Sequence, residues 1–152
     1  MLKAGDKAPG FKLQSDKDKE VSLDQFLGKK EVVLYFYPKD NTSGCIKEAC
    51  SFRDNLPDIQ GKDAVVLGVS PDSVKSHQGF IQKQNLNFTL LSDPDHKVAE
   101  AYGAWGEKSM YGKKYMGILR STFIIGKDGK IKKAFERVKP ADHALEVLEA
   151  LS

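Results

Sequence analysis

The runs Val32-Val33-Leu34-Tyr35-Phe36-Tyr37 and Ala64-Val65-Val66-Leu67-Gly68-Val69 decide the class of fold. Both runs are rich in β-branched and aromatic residues, and neither alternates between polar and apolar positions. Strands of this kind are typical of the centre of a sheet that is covered by helices on both faces. The sequence therefore predicts two buried central strands.

The segment between these two runs has the apolar spacing of a helix. Its apolar residues recur at intervals of three and four, which places them on one helical face; they are Cys45, Ala49, Phe52, Leu56 and Ile59. Pro57 is expected to kink or end this helix near Leu56, and Gly61 to close the segment. Strand, helix and strand then form a βαβ unit with a right-handed crossover.

The second half of the chain continues this alternation. The pattern predicts helix, strand and helix over residues 73–84, 89–91 and 95–102. Two further strands, 121–125 and 131–137, flank the hairpin sequence Gly126-Lys127-Asp128-Gly129. Lys113 and Lys114 lie in a glycine-rich stretch, 103–117, which is expected to be a solvated surface loop.

The last predicted element is an amphipathic helix with apolar positions at Ala141, Leu145, Leu148 and Leu151. The whole pattern is compatible with a single domain over residues 1–152. Its class is α/β, with a thioredoxin-like fold in which a central mixed β-sheet is flanked by helices.

Composition narrows the classes of function. The 152 residues are 40% hydrophobic and 30% charged, with a net charge of +3, so we expect a globular protein with no nucleic-acid or membrane partner. A membrane-spanning run and a signal peptide are both lacking, which predicts a cytoplasmic location. The histidines His77, His96 and His143 lack metal-ligand spacing, so we expect no metal site.

Only two cysteines occur, Cys45 and Cys50, and a close pair in a reducing compartment is more often catalytic than structural. Pro38 should end a strand, and Thr42 or Ser43 should cap the helix that follows. Cys45 then lies in the first helical turn, where free N–H groups and the helix dipole favour a thiolate. The alternative is an unreactive core cysteine at the end of the apolar stripe.

The spacing of the two cysteines has a mechanical consequence. Five helical residues separate the Cα atoms by roughly 8–9 Å, whereas a disulfide needs about 7 Å or less. Either the two thiols never bond, or the helix unwinds locally when they do. We predict the second: peroxide oxidises Cys45 to a sulfenic acid, and Cys50 condenses with it.

Two other functions remain open from the residues alone. One is a thiol–disulfide oxidoreductase on the same fold, although such enzymes favour a Cys-x-x-Cys spacing that is absent here. The other is a non-catalytic binding domain with two inert cysteines. Arg120, a cation within an apolar segment, either approaches Cys45 and stabilises its anion or simply faces outward from a strand.

The run Tyr37-Pro38-Lys39-Asp40-Asn41-Thr42-Ser43-Gly44-Cys45 resembles the peroxiredoxin pattern Pro-x-x-x-Thr/Ser-x-x-Cys. The resemblance is closest to the bacterioferritin comigratory protein, or peroxiredoxin Q, subfamily, whose members often carry a resolving cysteine five residues after the first. Similar blocks extend from about residue 31 to residue 129. They include 49–54, 90–94, 102–108 and 117–125.

This resemblance implies a role for each matching residue. Cys45 would be the peroxidatic cysteine and Cys50 the resolving cysteine, while Thr42 would hydrogen-bond the peroxide. Pro38 would shield the thiolate, and Arg120 would be the active-site arginine. Glu48 matches a frequent family glutamate that orients an arginine.

The resemblance also implies substrates and partners, and it implies that no metal or organic cofactor is needed. The substrates would be hydrogen peroxide and organic hydroperoxides, thioredoxin or a similar dithiol protein would be the reductant, and the protein would be a monomer. Two positions depart from many members of the subfamily: Ser43 replaces a proline and Ile46 replaces a threonine. Because both flank the implied site, we expect an altered pocket shape or substrate preference, with activity retained.

Overall fold

The computed structural model describes residues 1–151 and folds them into strands and helices in the predicted alternation. The strands are β1 (Lys12–Ser15), β2 (Glu20–Ser22), β3 (Glu31–Phe36), β4 (Ala64–Ser70), β5 (Thr89–Ser92), β6 (Trp105–Met110), β7 (Lys113–Ile118), β8 (Ser121–Ile125) and β9 (Ile131–Glu136). The α-helices are α1 (Ser43–Gly61), α2 (Val74–Gln84), α3 (Lys97–Tyr102) and α4 (His143–Ala150).

Seven of the strands form one mixed sheet in the order β2-β1-β5-β4-β3-β8-β9. The two predicted central strands, β3 and β4, are parallel neighbours joined by α1, and β8 pairs with β3 in the antiparallel direction. The predicted fold class is confirmed. The antiparallel β1–β2 hairpin at the other edge was not predicted, because its strands are short and mostly polar.

Each face of the sheet carries its own hydrophobic core. Val33, Tyr35 and Tyr37 face a core that α1, α2 and α4 complete, while the intervening residues of β3 face a core that contains Ala99 and Tyr102 of α3. Both faces of this strand are thus buried, which explains why its sequence does not alternate. A loop of residues 37–42 joins the carboxyl end of β3 to the start of α1.

Helix α1 continues through Pro57 to Gly61, so the expectation that it would end near Leu56 is wrong. Proline has no N–H to donate to the carbonyl four residues earlier, that of Arg53. The side-chain amide of Asn87 donates to this carbonyl instead, at 3.2 Å. The freed backbone oxygen therefore keeps a partner and the helix can proceed.

Two other expectations need correction. In α4 the buried residues are His143, Ala144 and Val147, and Leu151 is buried just after the helix, whereas Leu145 is exposed and Ala141 precedes the helix. The stretch that contains Lys113 and Lys114 is an exposed hairpin of β6 and β7, not a loop. Tyr111 and Gly112 both have positive φ at its turn, as two-residue hairpin turns require.

In the described range, 1–151, no helix is both long enough and apolar enough to cross a membrane.

Candidate active site

Cys45 lies in the first turn of α1, directly beyond the carboxyl end of β3, as the sequence predicts. Its side chain is buried, with 2% of its surface exposed, and it belongs to the core on the α1 face of the sheet. The backbone N–H groups of a first helical turn lack intrahelical acceptors and carry partial positive charge. The sulfur is therefore placed where an anion is favoured.

Thr42 is the residue at which α1 is capped, but its side chain does not act as the expected cap. Its hydroxyl points back along the chain and donates to the carbonyl of Lys39 at 2.9 Å. Ser43 is already the first residue of the helix. A hydroxyl that donates its own proton keeps its lone pairs free, so Thr42 can accept a hydrogen bond from a ligand.

Arg120 contacts Cys45 directly. Its Nη2 donates to the Sγ of Cys45 at 3.2 Å, and its Nη1 donates to Oε1 of Glu48 at 2.6 Å. The alternative of an outward-facing arginine is therefore wrong. The guanidinium holds one fixed orientation because its two nitrogens bind partners on the same helix, one turn apart.

Gly44 leaves room for this guanidinium. A Cβ atom at residue 44 would lie 3.2 Å from Nη2 of Arg120 and 3.4 Å from Cγ of Pro140. The glycine thus allows Arg120 to lie close against the first turn of α1. Pro38, half-buried, follows β3 at the other side of the loop that leads to Cys45.

Glu48 is fully buried beside this arginine. Burial raises the pKa of Glu48 from 4.5 to about 7, and the charge and hydrogen bond of Arg120 offset only part of that rise. Burial opposes the charge of Arg120 as well, but Glu48 and Cys45 outweigh it and raise the pKa of the arginine. The arginine therefore remains a permanent cation next to the sulfur.

Cys50 lies on α1, half-buried, with its Sγ 3.9 Å from Oε1 of Gln84 on α2. Its helix is intact, and within residues 1–151 both cysteines are free thiols. The structure thus represents the reduced protein before any bond between the two sulfurs.

Beyond Arg120 lies a cavity of about 500 Å³, which Arg120 helps to line together with Lys108, Arg137, Glu107, Glu136, Met1, Gly103 and Leu119. Lys108 is half-buried there, and burial followed by the charge of Arg120 lowers its pKa. Sequence reasoning did not single out Lys108, because it treated the whole hairpin as a solvated loop.

The loop between β3 and α1 is held by a buried polar cluster that sequence reasoning missed. Asp40 accepts from the Tyr37 hydroxyl at 2.6 Å and lies 2.7 Å from Nδ1 of His77 on α2. All three side chains are buried. The only sequence signal was an aspartate inside the active-site motif, since the histidine lies on a distant helix.

Comparison with known proteins agrees with this geometry. The sequence profile of the AhpC/TSA family matches residues 4–134. The chain is 49% identical to peroxiredoxin Bcp of Bacillus subtilis, over 99% of this chain and 95% of that protein. It is 47% identical to peroxiredoxin Bcp of Escherichia coli, over 93% and 90% respectively.

A solved structure is similar in fold as well as in sequence. The bacterioferritin comigratory protein of Xanthomonas campestris, described for its alkyl peroxide reduction activity, superposes with a TM-score of 0.90 at 40% identity. The match covers 97% of this chain and 96% of that one. The site holds a buried cysteine at the start of a helix, and an arginine donates a hydrogen bond to its sulfur. Together with the full-length match, this arrangement supports one family assignment. The chain belongs to the AhpC/TSA family and is a peroxidase of the peroxiredoxin type, in the bacterioferritin comigratory protein or peroxiredoxin Q group.

Proposed function

We propose that Cys45 is the peroxidatic cysteine, that Cys50 resolves its product, and that thioredoxin or a similar dithiol protein returns the enzyme to the reduced state. The single observation that carries the proposal is the 3.2 Å hydrogen bond from Arg120 to the buried sulfur of Cys45. A permanent cation that donates to a sulfur at a helix start stabilises its thiolate, which is the form that attacks peroxides.

The first chemical step transfers one oxygen atom. The Cys45 thiolate attacks one oxygen of the peroxide, an S–O bond forms, and the O–O bond breaks. The leaving oxygen takes a proton and departs as water or as an alcohol, while Cys45 becomes a sulfenic acid. We expect Thr42, the N–H of Cys45 and Arg120 to bind the two oxygens and to stabilise the charge on the leaving one.

The second step forms the disulfide. The Cys50 thiol attacks the sulfur of the sulfenic acid, an S–S bond forms, and the hydroxyl leaves as water. Because an intact helix keeps the two Cα atoms roughly 8–9 Å apart, the first turns of α1 must unwind first. A dithiol reductant then reduces this disulfide by thiol–disulfide exchange, and its own two thiols become a disulfide.

Organic hydroperoxides are included among the substrates for two reasons. The similar Xanthomonas campestris protein is described for alkyl peroxide reduction. In this chain, the cavity beside Arg120 has a volume of about 500 Å³, which can hold an organic group. Pro38, which is half-buried in the loop between β3 and α1, would shield the thiolate from water. We further propose that residues 1–152 form one domain that acts as a monomer.

The test is a comparison of Cys45→Ser and Cys50→Ser with the wild type. Cys45→Ser should abolish turnover. Cys50→Ser should consume one equivalent of peroxide and then stall or over-oxidise, unless another thiol replaces Cys50. Peptide mapping of the wild type after one equivalent of hydrogen peroxide should find a bond between Cys45 and Cys50. Full steady-state activity of Cys45→Ser would contradict the proposal.

An insulin-reduction assay serves as the control for function class. A thiol–disulfide oxidoreductase would reduce insulin efficiently and would consume peroxide slowly. We expect the reverse order of activities.

A further inference from the structure

Asp40 forms hydrogen bonds through both its side chain and its backbone. The carboxylate accepts from Tyr37 at 2.6 Å and from the hydroxyl of Ser76 at 2.8 Å, and it lies 2.7 Å from Nδ1 of His77. The backbone N–H of Asp40 donates to Oδ2 of Asp72 at 2.7 Å. The side chain of Asp40 thus ties the loop between β3 and α1 to α2, and its backbone ties the loop to the turn after β4.

The ring of His77 links Asp40 to the sheet. Nε2 of His77 lies 2.9 Å from the carbonyl oxygen of Leu91, which can only accept, so Nε2 carries a proton and donates to it. The other ring nitrogen, Nδ1, shares a hydrogen bond with Oδ2 of Asp40 at 2.7 Å. Both side chains are buried, so His77 anchors Asp40 to β5 through Leu91.

The start of α1, which follows Asn41, lacks comparable side-chain hydrogen bonds to its backbone in the described part of the chain. Asn41 has a positive φ of 62°, and it separates Asp40 from the start of α1. Among the described residues, no side chain caps the first turn of α1, and Thr42 and Ser43 are exposed. A turn without a cap opens at lower cost than a segment bound by buried hydrogen bonds. The start of α1 is therefore held less firmly than Asp40.

We propose that His77 is a positioning residue of the peroxidase: by holding Asp40, it keeps the loop from Pro38 to Thr42 in the form that attacks peroxide and opposes the opening that disulfide formation requires. We call this pair the His77–Asp40 clamp. The inference rests on the proposed roles of Cys45 and Cys50.

The clamp makes a prediction that a purely structural contact would not make. A weakened clamp should slow the attack of Cys45 on peroxide, because Pro38 and Thr42 lose their fixed positions. It should also speed closure of the disulfide, because the open form of α1 becomes more populated. General destabilisation has no reason to move the two rates in opposite directions.

Two substitutions of His77 separate its two hydrogen bonds. In His77→Asn the side-chain amide can replace Nδ1 and keep the bond to Asp40. In His77→Gln the amide can replace Nε2, so the bond to Leu91 stays while the bond to Asp40 is lost. Rapid-quench mass spectrometry after mixing reduced protein with hydrogen peroxide gives the rates of sulfenic acid and disulfide formation separately.

We expect His77→Gln to slow attack about tenfold and to speed closure severalfold, as loss of a buried hydrogen bond between two states implies. His77→Asn should keep both rates within about twofold of the wild type. Equal slowing of both steps in His77→Gln, unchanged rates, or identical behaviour of the two variants would overturn the proposal.

A second pair of variants keeps the test decisive if His77→Gln fails to fold. Tyr37→Phe removes only the hydroxyl that donates to Asp40, and it should shift both rates in the same directions to a smaller extent. Tyr102→Phe is the matched control, since its hydroxyl donates to the carbonyl of Pro9 on the other face of the sheet. Equal rates in these two variants would refute the clamp.

The same assay distinguishes failure of the clamp from failure of the proposed function. If the wild type forms no bond between Cys45 and Cys50, the resolving role of Cys50 is wrong. The attack rates of the His77 variants in a Cys50→Ser background then still report on the clamp. Unchanged attack rates there would refute it independently.

Discussion

At the scale of single residues, the geometry of Arg120 is the property that a substitution can test. Its two nitrogens bind Cys45 and Glu48 at the same time, at 3.2 and 2.6 Å. Lysine has one ammonium group and cannot reproduce this planar, two-sided contact. We therefore expect Arg120→Lys to lower kcat/KM for hydrogen peroxide by about 10- to 100-fold, because both the thiolate and the transition state lose hydrogen-bond stabilisation.

Steady-state kinetics with a saturating dithiol reductant measures this loss. Arg137→Lys is the matched control, because Arg137 lines the same cavity but is exposed. Wild-type kcat/KM in Arg120→Lys would show that the contact with Cys45 is not used in the reaction.

The sequence alone predicted the positions of some site residues but not of others. The placement of Cys45 in the first turn followed from local pattern, because strand, turn and helix are consecutive in the chain. Arg120 could not be placed in this way: its partners are far away in sequence, and only the family resemblance indicated its role. Thr42 or Ser43 was expected to cap α1, but the Thr42 hydroxyl points back along the chain and donates to the carbonyl of Lys39.

At the scale of elements, helix α1 divides into two parts. Its first turns carry Cys45 and lack a side-chain cap within the described range. Its later turns bury Phe52, Leu56 and Ile59, and Phe52 stacks on Tyr35 with ring centroids 4.7 Å apart. Burial of each such side chain stabilises the later part by about 1.5–3 kcal/mol, so we expect unwinding to stop before it.

Hydrogen exchange can locate this boundary. After one equivalent of peroxide, the amides of residues 43–50 should exchange much faster than in the reduced protein, while those of residues 52–61 should remain protected. Oxidised Cys50→Ser should keep the protection of the reduced protein, because it cannot form the intramolecular disulfide. Fast exchange along the whole of α1, or along none of it, would contradict a local opening.

Helices and strands were predictable where the local sequence carries a clear apolar pattern. They were less predictable where contacts with distant residues determine the start or end of an element or its buried face. The buried strands β3 and β4 and the hairpin of β8 and β9 were found from local composition. The continuation of α1 beyond Leu56 depends on Asn87, which no local pattern around Pro57 reveals. In α4, several apolar stripes were possible, and only packing against α1 selected the one with Ala144 and Val147.

At the scale of the whole molecule, the burial of Glu48 links stability to pH. Its pKa is raised from 4.5 to about 7 in the folded protein, so folding favours its protonated form. This contribution to stability is fully present below pH 4.5 and is lost as pH rises through about 7. Its full size is about 3 kcal/mol, from a shift of this magnitude.

Glu48→Gln should remove this dependence, because glutamine resembles the protonated side chain. The difference in unfolding free energy, variant minus wild type, should increase between pH 4.5 and about 7 and then level off. Burial lowers the pKa of His143 and has the opposite effect, costing stability as pH falls below about 6.5. It is common to both proteins and cancels in the difference. Urea titrations across this range measure it, and a constant difference would contradict the assignment.

The unequal depths of the two sulfurs decide which reagents report on this enzyme. Cys45 exposes 2% of its surface, whereas Cys50 is only half-buried near the junction of two helices. We therefore expect a bulky maleimide to label Cys50 first and to give the impression that Cys45 is inert. Probes no larger than a small hydroperoxide should reach the deeper sulfur with the helix intact and report its reactivity towards peroxides.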